Sequence, residues 1–202
     1  STFVFKENAW DINPDAENTD KITFDLKKDE FSFSKFKLIS GEQKVAFTGS
    51  LKGDTEKILL VDFTKVKLQS FLPEIDSLAL KGNVSGKLDF VQKDSIYRPE
   101  AILVIQDFEV NDFKQGELAI NILGDNSYEK FSVDLSIKNE KVKSIAATGV
   151  LDFSNTRPLI DLDVFLEEYA LEAFSPLGKD VISSLRGAVS GNFNLKGFLR
   201  NP

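Results

Sequence analysis

The chain repeats itself, and this limits its fold more than any single motif does. Thr48-Gly49-Ser50-Leu51 returns 100 residues later as Thr148-Gly149-Val150-Leu151. Leu80-Lys81-Gly82-Asn83-Val84-Ser85-Gly86 returns 105 residues later as Leu185-Arg186-Gly187-Ala188-Val189-Ser190-Gly191. The two pairs keep their order, and between them Phe71-Leu72-Pro73 is answered by Phe174-Ser175-Pro176. Self-similarity at a nearly constant spacing marks an extended architecture in which each unit packs mainly on its neighbours. Residues 1–202 therefore read as one elongated segment with approximate repeat units 22–98 and 118–202. Its function is expected on a continuous surface and not in one pocket.

Within the units the apolar period is two. Phe131, Val133, Leu135 and Ile137 share one face while Ser132, Asp134, Ser136 and Lys138 share the other, which is the pattern of a half-buried strand. The same alternation places Ile22, Phe24 and Leu26 together, as it does Leu118, Ile120 and Ile122, and Ile160, Leu162, Val164 and Leu166. It continues through Val45, Phe47, Gly49 and Leu51, through Val84, Gly86, Leu88 and Phe90, through Ile145, Leu151 and Phe153, and through Phe193 and Leu195. Polar breaks at Lys27-Lys28-Asp29-Glu30, Gly53-Asp54-Thr55, Gly124-Asp125-Asn126-Ser127 and Lys138-Asn139-Glu140-Lys141 supply turns. The expectation is about a dozen short strands in antiparallel meanders.

Two stretches depart from this period. From Tyr169 to Leu185 the apolar residues fall three and four apart, and Ser175-Pro176 resembles an N-cap followed by a first-turn proline, so one or two short helical turns are expected. Leu68 to Leu72 holds the equivalent place in the first unit and predicts a shorter version. From Phe31 to Ile39 the parity switches, with Phe31 and Phe33 on one side and Phe36 and Leu38 on the other. One extra residue near Lys35, a β-bulge, reconciles them. Gly49, Gly86, Gly149 and Gly191 all fall on the apolar parity, where glycine marks a bend, a bulge or a close backbone approach.

Composition removes several function classes. With no Cys and no His among 202 residues, the chain has no thiol nucleophile, imidazole base, usual zinc site or disulfide framework. A formal net charge of −7 argues against a nucleic-acid partner, which needs clustered Lys and Arg, and against docking on an anionic membrane face. Apolar runs such as Ile58-Leu59-Leu60-Val61 and Ala101-Ile102-Leu103-Val104-Ile105 are too short to span a bilayer as a helix. Gly82-Asn83-Val84-Ser85-Gly86-Lys87-Leu88 fails as a phosphate loop. It is one residue short, it ends in Leu where Ser or Thr must reach magnesium, and its repeat copy has Asn192 for Lys87. Asp11, Asp15, Glu17 and Asp20 lack the alternate spacing and central glycine of a calcium loop, so no metal site is expected. No carboxylate pair is singled out by spacing, and no catalytic residue or cofactor is expected. The chain reads as an internal piece of a longer protein.

A sheet with one apolar face must cover it with a second layer, with its own curvature or with a ligand. The helical content is too small for a second layer. Wound continuously, a dozen strands would give a gutter roughly 55–60 Å long, lined by Phe, Leu, Ile and Val. The competing reading is a closed two-sheet sandwich, towards which periodicity alone leans slightly.

The segments Leu-Lys-Gly-Asn-Val-Ser-Gly-Lys-Leu-Asp-Phe (80–90) and Leu-Arg-Gly-Ala-Val-Ser-Gly-Asn-Phe-Asn-Leu-Lys-Gly (185–197), with Leu171-Glu172-Ala173-Phe174-Ser175-Pro176-Leu177 and the opening Trp10-Asp11-Ile12-Asn13-Pro14, resemble the TamB family. These are AsmA-like envelope proteins of diderm bacteria, and the style is nearest to the Bacteroidetes branch. The resemblance implies an all-β, elongated, curved antiparallel sheet rolled into a taco-like groove. It also implies a periplasmic protein anchored in the inner membrane, phospholipid or acyl-chain cargo, an Omp85-type outer-membrane barrel as partner, and roles in lipid movement and outer-membrane protein assembly. The residues expected to line the groove are the inward-parity positions named above, from Ile22 to Leu195, with Leu88 and Phe90 among them. No catalytic residue belongs to the family pattern.

Overall fold

The computed structural model describes residues 2–5, 8–14, 22–72, 78–139, 142–178 and 186–198. Its strands are β1 (Thr2–Phe5), β2 (Asn8–Ile12), β3 (Ile22–Asp25), β4 (Glu30–Ser40), β5 (Gln43–Lys52), β6 (Glu56–Lys67), β7 (Leu80–Lys93), β8 (Ile96–Val110), β9 (Phe113–Gly124), β10 (Lys130–Asn139), β11 (Val142–Asp152), β12 (Leu159–Ala170) and β13 (Ala188–Phe198). Two 3-10 segments, η1 (Leu68–Ser70) and η2 (Glu172–Gly178), follow β6 and β12. All thirteen strands form one sheet in the order β1-β2-β4-β5-β6-β7-β8-β9-β10-β11-β12-β13, with β3 paired to β4. Every pairing is antiparallel. The sheet is open and curved like a gutter, roughly 50 Å along its hydrogen-bonding direction. The two-sheet sandwich is excluded, because consecutive strands pair in sequence from β4 to β13 in one open sheet and no second sheet forms among the described residues. The element order β4-β5-β6-η1-β7 recurs as β10-β11-β12-η2-β13.

The recurring Ser-Gly and Thr-Gly pairs have a structural meaning. In β4 the register steps from Phe33↔Gly49 to Phe36↔Phe47, so Ser34 and Lys35 together oppose Thr48, and Lys35 has φ +54°. This is the bulge that the parity switch predicts. β6 bulges likewise at Lys65 opposite Ser85, and β12 at Glu168 opposite Ser190, with φ +48° and +47°. A left-handed bulge residue turns its N–H out of the ladder. In each case the opposing hydroxyl accepts it: Lys65 N donates to Ser85 Oγ at 3.0 Å, Glu168 N to Ser190 Oγ at 2.8 Å, and Lys35 N to Thr48 Oγ1 at 3.5 Å. Thr148-Gly149 is the exception, since β10, the strand before it, passes it in regular register.

The glycine beside the hydroxyl often brings backbones close. A Cβ on Gly86 would lie 2.1 Å from the Ile102 carbonyl oxygen, and one on Gly149 would lie 2.0 Å from that of Asp161.

The helical segments are 3-10 turns, and η2 starts at Glu172, so the expectation of Ser175 as an N-cap is corrected. The turn is closed by the Leu171 carbonyl, which accepts the Phe174 N–H at 3.0 Å, while the Glu172 carboxylate accepts the Gly187 N–H at 3.2 Å. Residues 179–185, Pro73, the acidic residues Asp15, Glu17 and Asp20, and the expected turn at Glu140 and Lys141 lie outside the described residues.

Candidate functional site

Residues directly opposite in an antiparallel ladder share a face, so the register shows what lines the gutter. One row runs unbroken across eleven strands: Ile12 and Leu38 lead to Val45, Phe63, Gly86 and Leu103, and then to Ile120, Leu135, Ala147, Val164 and Phe193. A second row runs from Phe36 and Phe47 through Val61, Leu88 and Ala101 to Ile122, Val133, Gly149, Leu162 and Leu195. Neither contains a polar side chain. The opposite face reads Asp62, Lys87, Ile102, Asn121, Asp134, Thr148, Asp163 and Asn194 along one comparable row.

The two rims of the gutter differ. One carries η1, η2 and the β4–β5 and β8–β9 turns, and there the apolar face is covered. Val84, Ile105, Leu118 and Ile137 are buried with Ala173 of η2, and Leu68 of η1 packs on the same cluster. Asn111 in the β8–β9 turn ties η2 down by donating from Nδ2 to the Ala173 carbonyl at 2.8 Å. The other rim carries the β5–β6, β7–β8 and β9–β10 turns, and there the apolar side chains face open space. Phe24 is 64% exposed and Leu51 is 45% exposed, and Phe90 and Phe153 are likewise uncovered. Rings meet edge to face along this rim, Phe24 with Phe31 at 6.0 Å between centroids and Phe131 with Phe153 at 5.7 Å.

The residues expected to line a groove therefore occupy three environments. Val45 is buried in one core cluster and Leu118 and Ile137 in another, with Ile145 packed against the second. Phe47, Leu88, Ile120, Ile122, Val133, Leu135, Leu162 and Val164 form the half-buried floor. Ile22, Phe24, Leu51, Phe90, Phe131, Leu151, Phe153, Phe193 and Leu195 lie toward the open rim or the β13 edge, and Leu26 sits in the β3–β4 turn, 81% exposed. Sequence reading missed the contribution of β6 and β8, where Leu59, Val61, Phe63, Leu103 and Ile105 complete the rows. Those strands are apolar on both faces over Ile58–Val61 and Ala101–Ile105, so alternation is masked and only the register reveals the parity.

Charge lies on the polar face and in the turns except at Lys57, which pairs with Leu51 on the inner face beside the open rim. Lys87 bridges Glu100 at 2.6 Å and Asp89 at 3.2 Å, and its ammonium is held above the ordinary lysine range by the hydrogen bond to Glu100 first and that to Asp89 second. On β12 the hydrogen bond from Lys196 lowers the Asp161 carboxyl, and Asn194 adds to the effect. Among the described residues no group of three or more His, Cys, Asp or Glu is placed to hold a metal ion, and no helix is long and apolar enough to cross a membrane. An open polar cleft of about 510 Å³ at the helical rim, lined by Glu42, Gln43, Lys65, Asn83 and Asp107 among others, is occupied by internal pairing, with Lys65 Nζ 2.9 Å from Glu42 Oε2.

Two buried polar atoms on the covered side have no hydrogen-bond partner among the described residues, Trp10 Nε1 and Tyr169 Oη. Burial pushes the Tyr169 phenol up to about 12. The two central rows thus offer hydrocarbon and aromatic contact from strand to strand. No family model, curated protein or solved structure matches this chain.

Proposed function

We propose that this chain is a section of a hydrophobic β-groove that carries phospholipids by their acyl chains between the inner and outer membranes of a diderm cell envelope, as the TamB-like proteins it resembles do. On this reading the parent protein is periplasmic and held in the inner membrane, it works with an Omp85-type barrel in outer-membrane biogenesis, and it performs no catalysis. The observation that supports the reading is the pair of unbroken apolar rows running beside a rim where large side chains stay exposed. A sheet face of this kind behaves as a solvent for hydrocarbon. Exposing an acyl chain to water costs about 0.8 kcal/mol per methylene, or on the order of 12 kcal/mol for a chain of about sixteen carbons. A gutter that stays apolar from strand to strand removes most of that barrier.

The second reading is a scaffold for outer-membrane protein assembly, which would offer the same apolar rows to unfolded β-rich clients.

Photo-crosslinking residues at Val133, on the floor, and at Asp134, on the polar face, separate the two readings in the full-length protein in its own cells. Phospholipid adducts at Val133 and none at Asp134 are the expected result. Protein adducts at Val133 would favour the scaffold, and an adduct-free Val133 would refute the conduit.

A further inference from the structure

The β1–β2 hairpin does not simply extend the sheet. Its root is fixed to β4 by the pairs Asp11↔Ile39 and Ile12↔Leu38. It is held there also by Asn13, which donates from N to the Lys37 carbonyl at 2.9 Å and accepts the Lys37 N–H on Oδ1 at 2.6 Å. Asn13 has φ +43°, so the chain changes direction at this root. Beyond it β2 leaves the ladder and crosses the covered rim. There Asn8 Nδ2 donates to Ser70 Oγ of η1 at 3.2 Å, 62 residues away in sequence. Between root and tip, Trp10 lies 2% exposed against Val45, Val61 and Val66, with Leu38, Phe47, Phe63 and Leu88 around them. The indole therefore sits on the same apolar rows that form the floor elsewhere.

We propose that the β1–β2 hairpin is an autoinhibitory lid: Trp10 occupies the acyl site over Val45, Val61 and Val66, and a long-chain acyl guest competes for that floor and swings the hairpin out about its root at Asp11–Asn13. The inference rests on the groove reading and names how this part of the groove is regulated. Three observations support it. The root is secured by backbone pairing, whereas among the described residues one side-chain hydrogen bond, Asn8 to Ser70, ties the far part to the rest of the molecule. The seated indole keeps Nε1 buried without an acceptor among the described residues, a penalty that an acyl chain in the same place would not carry. The hairpin also leaves Val4 71% and Phe5 44% exposed, so it covers the floor through Trp10 without being enclosed itself. A guest shifts such an equilibrium only by its preference for the open state, and here guest and indole exclude each other, which makes the preference large.

The experiment uses the fact that Trp10 is the sole tryptophan. Bromine-labelled lauric acid is titrated into the unmodified protein, with binding followed by calorimetry and Trp10 by its emission. The expected result is a heat of binding accompanied by a red shift, as the indole moves into water. Binding with an unshifted emission, quenched or not, would mean that the indole stays seated, and would overturn the lid while leaving the groove reading intact. No binding, shown by calorimetric silence at two well-separated temperatures and by equilibrium dialysis of the bromolaurate, would overturn the groove reading and the lid with it. A second test pairs Asn8→Cys with Ser70→Cys in a chain that has no native cysteine. The oxidised, latched form should bind the fatty acid at least tenfold more weakly than the same protein after reduction. Equal affinity in the two forms would overturn the proposal.

Discussion

Gly149 lies on the floor between Val133 of β10 and Leu162 of β12, and replacing it by alanine tests how tightly the sheet is bent there. Its backbone is not in the left-handed region, so Gly149→Ala carries no conformational penalty of that kind and the effect is steric. The new methyl would lie 2.0 Å from the Asp161 carbonyl oxygen and 2.8 Å from Leu162 Cα. Reaching an ordinary contact of 3.4 Å needs about 1.4 Å of separation, and the obstacle is backbone, which cannot rotate aside. Overpacking typically costs about 1–3 kcal/mol, and a rigid obstacle places this substitution near the upper end. At about 2–4 °C per kcal/mol for a chain of this size, Tm should fall by roughly 6–12 °C. Gly197→Ala, on the β13 edge, is the control, because nothing lies within 4 Å of its added Cβ and its stability should stay within about 0.5 kcal/mol of the parent. Thermal melts followed by circular dichroism decide the matter. If Gly149→Ala melts within about 1 °C of both the parent and Gly197→Ala, the close backbone approach does not exist in solution and the curvature argument fails.

Tyr169 should make the protein sensitive to alkali. Its folded pKa is raised to about 12 and the unfolded phenol ionises near 10, so above about pH 10 the unfolded state loses a proton that the folded state keeps, and stability declines until about pH 12. Tyr169→Phe should remove that decline and cost almost nothing at pH 7, because the hydroxyl it deletes has no partner among the described residues. Denaturant midpoints near pH 8 and near pH 11 measure both effects, and a loss above about 1 kcal/mol at neutral pH would contradict an unpartnered hydroxyl. Ser85→Ala should cost about 0.5–1 kcal/mol in urea unfolding by removing the acceptor of the Lys65 N–H, with Ser85→Thr restoring most of it. No loss in Ser85→Ala would show that the hydroxyl does not seat the bulge.

Much of the architecture is legible in the residues themselves. A period of two over segments such as Phe131–Ile137 specifies a strand with one apolar side, whatever the rest of the chain does, because successive side chains must point to opposite faces. The parity switch after Phe33 specifies a bulge for the same reason, and the scarcity of helical periodicity leaves no second layer to cover the sheet. The lining residues of β5, β7, β9 and β10 to β13 follow from alternation, whereas no residue of β4, whose parity switches at the bulge, is among the expected lining.

Other features depend on distance in space and have no local signature. The inward set of β6 and β8 is hidden by apolar residues on both faces and appears only when Val61 is seen opposite Phe47, and Ala101 opposite Leu88. The meaning of Ser85-Gly86 and Ser190-Gly191 needs the bulged neighbour strand, because the hydroxyl accepts an N–H 20 or 22 residues away in sequence. The choice between sandwich and gutter, the covering of one rim by η1 and η2, and the seating of Trp10 over Val66 were likewise decided by tertiary structure alone. Alternation says which side of a strand is apolar, while which body buries that side is settled by strand order and curvature, which are properties of the assembled sheet.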